Sequence, residues 1–127
     1  MYIIKKLYAN LVYSLHGLKV CCGEIAFRLE LVYGLILLGL IFKLNISQTH
    51  ALILIIEYTL LLAFELINTA VEKTCNRITL EYDLQVRYAK DLASAAVFLM
   101  VLLNLTTLSS SGCLDISEIK VIRGSET

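Results

Sequence analysis

The sequence predicts an all-α integral membrane protein: three transmembrane helices preceded by an N-terminal amphipathic helix that lies in the membrane interface. Two observations carry this. Hydrophobic residues make up 58% of a 127-residue chain without a single proline or tryptophan, and mean hydropathy is +0.77. A soluble domain of this size has too small an interior to hide so much apolar surface. The apolar residues are also gathered into long runs with short polar stretches between them, as spans joined by turns require. The length suits one membrane domain, residues 1–112, followed by a polar tail, residues 113–127. The formal net charge is zero, so no affinity for nucleic acid is expected, and the place of each charge matters more than the sum.

The elements follow in order. From Met1 to Gly23, Ile4, Leu7, Leu11, Leu15 and Leu18 recur at steps of three and four, the spacing of one helix face. Lys5, Lys6 and Lys19 flank that face, which suits a helix at the lipid surface. Gly17 and Gly23 are read as helix breaks. Asn10, His16 and Lys19 interrupt the first apolar run, so no cleavable signal peptide is expected. The next segment, Glu24 to Phe42, begins polar and turns apolar. Its uninterrupted part, Leu31 to Phe42, falls short of the roughly 20 residues a span needs. Ile25 to Leu29 must therefore lie against the membrane, with Arg28 snorkelling.

Lys43 to Thr49 reads as a short polar turn, and Ala51 to Phe64 as the second span. Glu57 interrupts that span and calls for a partner such as Asn104, or for an uncharged carboxyl. Lys73 to Lys90 reads as a charged, loop-like stretch, with helix persisting to about Arg77. The third span is Leu92 to Leu108, ended by Ser109-Ser110-Ser111-Gly112. Gly34, Gly39 and the run Ala93-Ser94-Ala95-Ala96 suit close helix contacts in lipid.

Basic residues set the orientation. Lys5, Lys6, Lys19 and Arg28 share a side with Lys73, Arg77, Arg87 and Lys90, whereas only Lys43, Lys120 and Arg123 fall on the other. This excess places the N-terminus and the second loop in the cytoplasm. Cys21, Cys22, Cys75 and Cys113 lack metal-ligand spacing and are read as small apolar residues in a reducing compartment.

The stretch Ala63 to Arg77 carries the chemistry. Glu65, Asn68, Glu72 and Asn76 sit at i, i+3, i+7 and i+11. At about 100° per residue these side chains share one helix face, where an apolar run meets the cytoplasm. Charged groups at such a depth are expensive and usually have a task. The pattern resembles the signature of the bacterial diacylglycerol kinases, small membrane enzymes whose relatives include undecaprenol kinases. That signature is Glu, Asn three on, a small pair, Glu four after the Asn, and Asp four further. Here it reads Glu65, Asn68, Thr69-Ala70 and Glu72, with Asn76 in place of the Asp. Other blocks fall in the family's order: Tyr13-Ser14 with Gly17-Leu18, Glu24 to Glu30 through Phe27 and Arg28, Glu81-Tyr82, and Ala89-Lys90-Asp91 with Ser94-Ala95-Ala96. The likeness covers roughly residues 5 to 110.

The resemblance implies a homotrimeric ATP-dependent kinase of the bacterial cytoplasmic (inner) membrane, with diacylglycerol as acceptor and sites shared between subunits. It implies Glu24 and Glu72 as ligands of Mg²⁺ and Glu65 as the catalytic base toward a lipid hydroxyl. It places Lys6, Tyr13, Ser14, Glu24, Glu72, Glu81, Tyr82, Asp83, Lys90 and Asp91 at the nucleotide. It places Phe27, Arg28, Glu30, Glu65 and Asn68 near the lipid acceptor. These residue types fit the reaction independently: phosphoryl transfer needs a metal on the triphosphate, positive groups on the phosphates and a base beside the acceptor. Mg²⁺ commonly takes one or two carboxylates plus phosphate oxygens. The sequence holds no Walker-type loop and no kinase-like glycine-rich loop, which excludes the soluble kinase folds.

Asn76 keeps the hydrogen-bonding capacity of the family's Asp without its charge. If that Asp holds a basic group or a metal-bound water, lower activity and a higher Mg²⁺ requirement are expected. If it is an essential direct ligand, the chain is a poor kinase. The first outcome is favoured because Glu24, Glu65, Glu72, Lys90 and Asp91 are all present. Two other readings stay open: the same reaction on undecaprenol, and a non-enzymatic helical subunit, such as a proton-conducting oligomer using Glu57 and Glu65. Arg28-Leu29-Glu30 after Phe27 looks more like the diacylglycerol branch.

Overall fold

The computed structural model describes the backbone of residues 1–124 and the side chains of residues 1–112. Four helices follow one another: α1 (Tyr2–Cys21), α2 (Ile25–Lys43), α3 (Gln48–Ile78) and α4 (Leu84–Gly124). The segments Ile25–Lys43, Gln48–Ile78 and Leu84–Gly112 are long and apolar enough to cross a membrane. α3 is the axis of the molecule. Each of the other helices packs on it, and α4 shares the largest interface.

The helix lengths position the site. α2 has 19 residues, about 28 Å at 1.5 Å per residue and just enough for a hydrocarbon core of about 30 Å. α3 has 31 residues, about 46 Å, so it must emerge at one end. Counting about 20 residues from Gln48 brings the boundary to the neighbourhood of Glu65 and Asn68, and the rest of α3 projects beyond it.

The turn at the opposite end is tight. Asn45 takes φ 47°, a left-handed conformation that Asn tolerates better than most residues. Ser47 caps α3: its Oγ accepts from the His50 amide at 3.5 Å and lies 2.7 Å from His50 Nδ1. Ile46 turns inward and joins Leu37, Ile41 and Leu54 in the core, with Tyr33, Ala51, Tyr58 and Leu108 packed against them.

Two features lock α2, α3 and α4 inside the bilayer. The first is close approach at Gly34, where a Cβ would overlap the Tyr58 ring and hydroxyl. Tyr58 reaches past Gly34 to donate to the Glu30 carbonyl at 3.0 Å. Gly39, by contrast, faces open space. The second is a polar network. Glu57 accepts from Thr107 Oγ1 at 2.9 Å and from Asn104 Nδ2 at 3.5 Å. Asn104, 0% exposed, also donates to the Leu54 carbonyl and accepts from the Tyr33 hydroxyl. The expected pairing of Glu57 with Asn104 is present. Elsewhere the outward faces carry Leu, Ile and Phe, such as Leu35, Leu52 and Leu99, as lipid-facing helices do.

Several sequence expectations need correction. Gly17 does not break α1; the helix continues to Cys21. An exposed mid-helix glycine costs only about 1 kcal/mol, too little to stop it. Only Gly23 lies in a turn. Most of the stretch from Lys73 to Lys90 is helical: α3 runs to Ile78 and α4 starts at Leu84, leaving a short connection. Asp83 starts α4 early by accepting the Val86 amide at 2.9 Å. The third span is therefore part of a longer helix. Nor does Ser109 to Gly112 end it, because α4 continues to Gly124. Ser110 and Ser111 turn their hydroxyls back onto the carbonyls of Thr107 and Leu108, which satisfies them within the helix. The side chains of the expected tail, residues 113–127, lie outside the described residues.

Candidate active site

The site is built on the emerging end of α3. Glu65 is 3% exposed and Asn68 is 9% exposed. One turn apart, they face the same way, and Asn68 Nδ2 donates to Glu65 Oε2 at 3.5 Å. Asn68 thus orients Glu65. One turn on, Glu72 is exposed, and so is Asn76 beyond it. The predicted stripe is real, and it runs from buried to open along the helix.

Glu24 and Glu30 come to this stripe from α2. Glu24 is the N-cap of α2, yet its side chain makes no capping hydrogen bond. Instead Glu24 Oε1 accepts from Lys73 Nζ at 2.6 Å. Glu24 and Glu72 both lie within electrostatic reach of Glu65, and Glu65 within reach of Glu30. Among the described residues two buried side-chain acceptors lack a hydrogen-bond donor, and both belong here: Glu30 Oε2 and Asn68 Oδ1. Arg28 is exposed, whereas Phe27 is buried at 3% exposure in the helix packing.

A second group of predicted residues meets where α3 gives way to α4. Asn76, Glu81, Tyr82, Asp83, Lys90 and Asp91 line an open cavity of about 240 Å³, joined by Arg87, which was not among them. Lys90 Nζ donates to Asn76 Oδ1 at 2.6 Å, and Arg87 Nε lies 3.6 Å from Asp91 Oδ2. Asn76 therefore holds a basic group, one of the roles expected for the family's Asp. Lys6, Tyr13 and Ser14 stand apart. They are exposed on α1 and none lines this cavity. The Ser14 hydroxyl donates to the Asn10 carbonyl at 2.9 Å. α1 meets α3 near its end, where Cys21 Sγ lies 3.5 Å from Thr69 Oγ1. Burial pushes the Cys21 thiol up, so it stays protonated at neutral pH, as a small apolar residue would require. Cys21, Cys22 and Cys75 are free thiols.

The donor set fits Mg²⁺. Glu24 and Glu72 offer hard oxygen ligands, and the Lys73 ammonium, on Glu24 and within electrostatic reach of Glu72, stands in for a cation. Among the described residues no three His, Cys, Asp or Glu side chains converge as a complete cage. Mg²⁺ at a nucleotide site does not need one, because phosphate oxygens complete its shell.

Sequence reasoning missed Lys73, Tyr33 and Thr107. Lys73 follows Glu72 directly, but its partner is 49 positions away and only the fold brings them together. Thr107 was within reach of the sequence: it lies three residues after Asn104, on the same helix face.

Comparison with known proteins agrees with this architecture. Residues 12–110 match the family model described as prokaryotic diacylglycerol kinase. A diacylglycerol kinase of Sinorhizobium is 35% identical over 107 residues, covering 80% of this chain and 74% of the relative. That of Pseudomonas aeruginosa is 35% identical over 96 residues, covering 75% and 78%. That of Haemophilus influenzae is 42% identical over 89 residues, covering 68% and 75%. With apolar helices of membrane-spanning length and an acidic stripe on the matched segment, the chain belongs to the prokaryotic diacylglycerol kinase family.

Proposed function

We propose that the protein transfers the γ-phosphoryl group of ATP to diacylglycerol, forming phosphatidic acid at the cytoplasmic face of the bacterial inner membrane. The observation that carries this reading is the buried Glu65–Asn68 pair on α3, one turn from exposed Glu72, with two acceptors without donors at the same place: Asn68 Oδ1 of the pair and Glu30 Oε2. A buried acceptor left unpaired costs about 1–3 kcal/mol. An alcohol at the membrane boundary supplies the missing donor, and a lipid hydroxyl is such an alcohol.

In this reading Glu65 takes the proton of the acceptor hydroxyl while Asn68 holds its carboxylate in place. The acceptor oxygen bonds to the γ-phosphorus, and the bond from that phosphorus to the ADP oxygen breaks. Glu24 and Glu72 would hold Mg²⁺, which would supply positive charge to the phosphates. Lys90 offers its ammonium to the phosphates, and Glu81, Tyr82, Asp83 and Asp91 border the nucleotide. Arg28 and Glu30 border the lipid, while Phe27 is buried in the helix packing of the single chain. α1 lies in the membrane interface and brings Lys6, Tyr13 and Ser14 to the nucleotide of a neighbouring subunit in a homotrimer.

The test uses membrane vesicles carrying the protein, radiolabelled ATP, and diacylglycerol or undecaprenol supplied separately. Label is expected in phosphatidic acid. Label in undecaprenyl phosphate alone would change the substrate, and none in either lipid would overturn the kinase reading.

A further inference from the structure

We propose that Lys73 is the resting counter-ion of the cation position at Glu24 and Glu72, and that it releases Glu24 when a divalent cation loads. The inference rests on the reading of those two carboxylates as metal ligands. Three observations support it. Lys73 Nζ sits 2.6 Å from Glu24 Oε1, a short charge-assisted contact that occupies an oxygen the metal needs. Glu24 is the N-cap of α2 but gives its carboxylate to no helix amide, so its orientation is set by Lys73 and not by the helix end. Glu72, its neighbour on α3, adds a smaller favourable charge at the Lys73 ammonium.

The contact is built to exchange. The side chains of Lys73 and Glu24 are 51% and 41% exposed, so no packing locks them. A solvent-exposed pair of this kind holds by roughly five-fold or less in equilibrium constant. A dication brings twice the charge and displaces the ammonium. Because Lys73 follows Glu72 on α3, its long side chain can swing aside without moving the helix. In the resting site Lys73 neutralises the Glu24 carboxylate, and the cost is competition with the metal.

The test is Mn²⁺ binding, read by electron paramagnetic resonance up to millimolar concentration on the full-length protein in lipid nanodiscs, without nucleotide. Lys73→Met removes the competing charge, and Mn²⁺ should bind roughly two- to five-fold more tightly. Lys73→Arg keeps the charge and should match wild type. A merely structural role for Lys73 would weaken binding in Lys73→Met, never tighten it. Glu24→Gln and Glu72→Gln form the second arm. If neither lowers Mn²⁺ affinity, the carboxylates are not ligands, and the site reading fails together with the inference. If they do lower it but Lys73→Met matches wild type or binds more weakly, the role of Lys73 alone is overturned. Equal tightening by Lys73→Arg and Lys73→Met would overturn it too.

Discussion

Glu65 and Glu72 lie two turns apart on one face of α3, one buried and bonded to Asn68, the other open to water. Their surroundings predict different losses. Glu65→Gln should leave nucleotide binding nearly intact and lower turnover by about 10²–10⁴, the usual cost of a missing general base. Glu72→Gln should raise the Mg·ATP concentration needed for half-maximal rate. Steady-state kinetics with isothermal titration separates the two, and near-normal turnover in both would remove the stripe from catalysis. Asn76 invites the opposite kind of change. Its Oδ1 accepts from Lys90 at 2.6 Å, and Asn76→Asp would turn that neutral–charged contact into an ion pair. Activity should stay equal or rise, with a lower Mg²⁺ requirement, in a Mg²⁺ titration of both forms. At this scale the sequence was informative where spacing within one helix decides who is neighbour to whom: the shared face of Glu65 and Asn68 was legible, though spacing left open whether Asn68 would turn to Glu65 or to Glu72. The hold of Lys73 on Glu24 was not, because nothing local ties α3 to the N-terminus of α2.

Among elements, Gly34 on α2 and Tyr58 on α3 form the contact most sensitive to size. A side chain at Gly34 meets the Tyr58 ring and hydroxyl. Gly34→Val should lower stability by about 1–3 kcal/mol through overpacking, seen as a fall in thermal unfolding temperature in detergent. Gly39→Ala, with open space around it, should leave that temperature unchanged or raise it slightly. Composition alone marked both glycines as contact points, since it cannot say which face of α2 meets α3. Helix ends were the least legible feature. The charged stretch after Arg77 looked like loop because polarity was read as irregularity, yet Asp83 caps α4 and Arg87 and Asp91 form an i,i+4 pair along it.

At the scale of the molecule, the order and number of spans were legible because long apolar runs have few alternatives in a short chain. The biased distribution of Lys and Arg predicts a cytoplasmic N-terminus and an external C-terminus. A C-terminal reporter active only in the cytoplasm should therefore be silent, and a strong signal would reverse the orientation.

The bond between Glu57 and Asn104 also bears on how the chain enters the bilayer during synthesis. α3 is made before α4, and Glu57 alone near the middle of a span adds an insertion cost of about 2.5–3.5 kcal/mol. Its partners Asn104 and Thr107 emerge from the ribosome some fifty positions later. The two helices therefore partition most favourably together, as a hairpin whose polar groups meet before they meet lipid. In a translocon assay with glycosylation reporters, a chain stopped after Asp83 should insert α3 poorly. Glu57→Leu should rescue that truncated chain and change little in the complete one; equal insertion of the truncated chain with and without Glu57 would rule out hairpin entry.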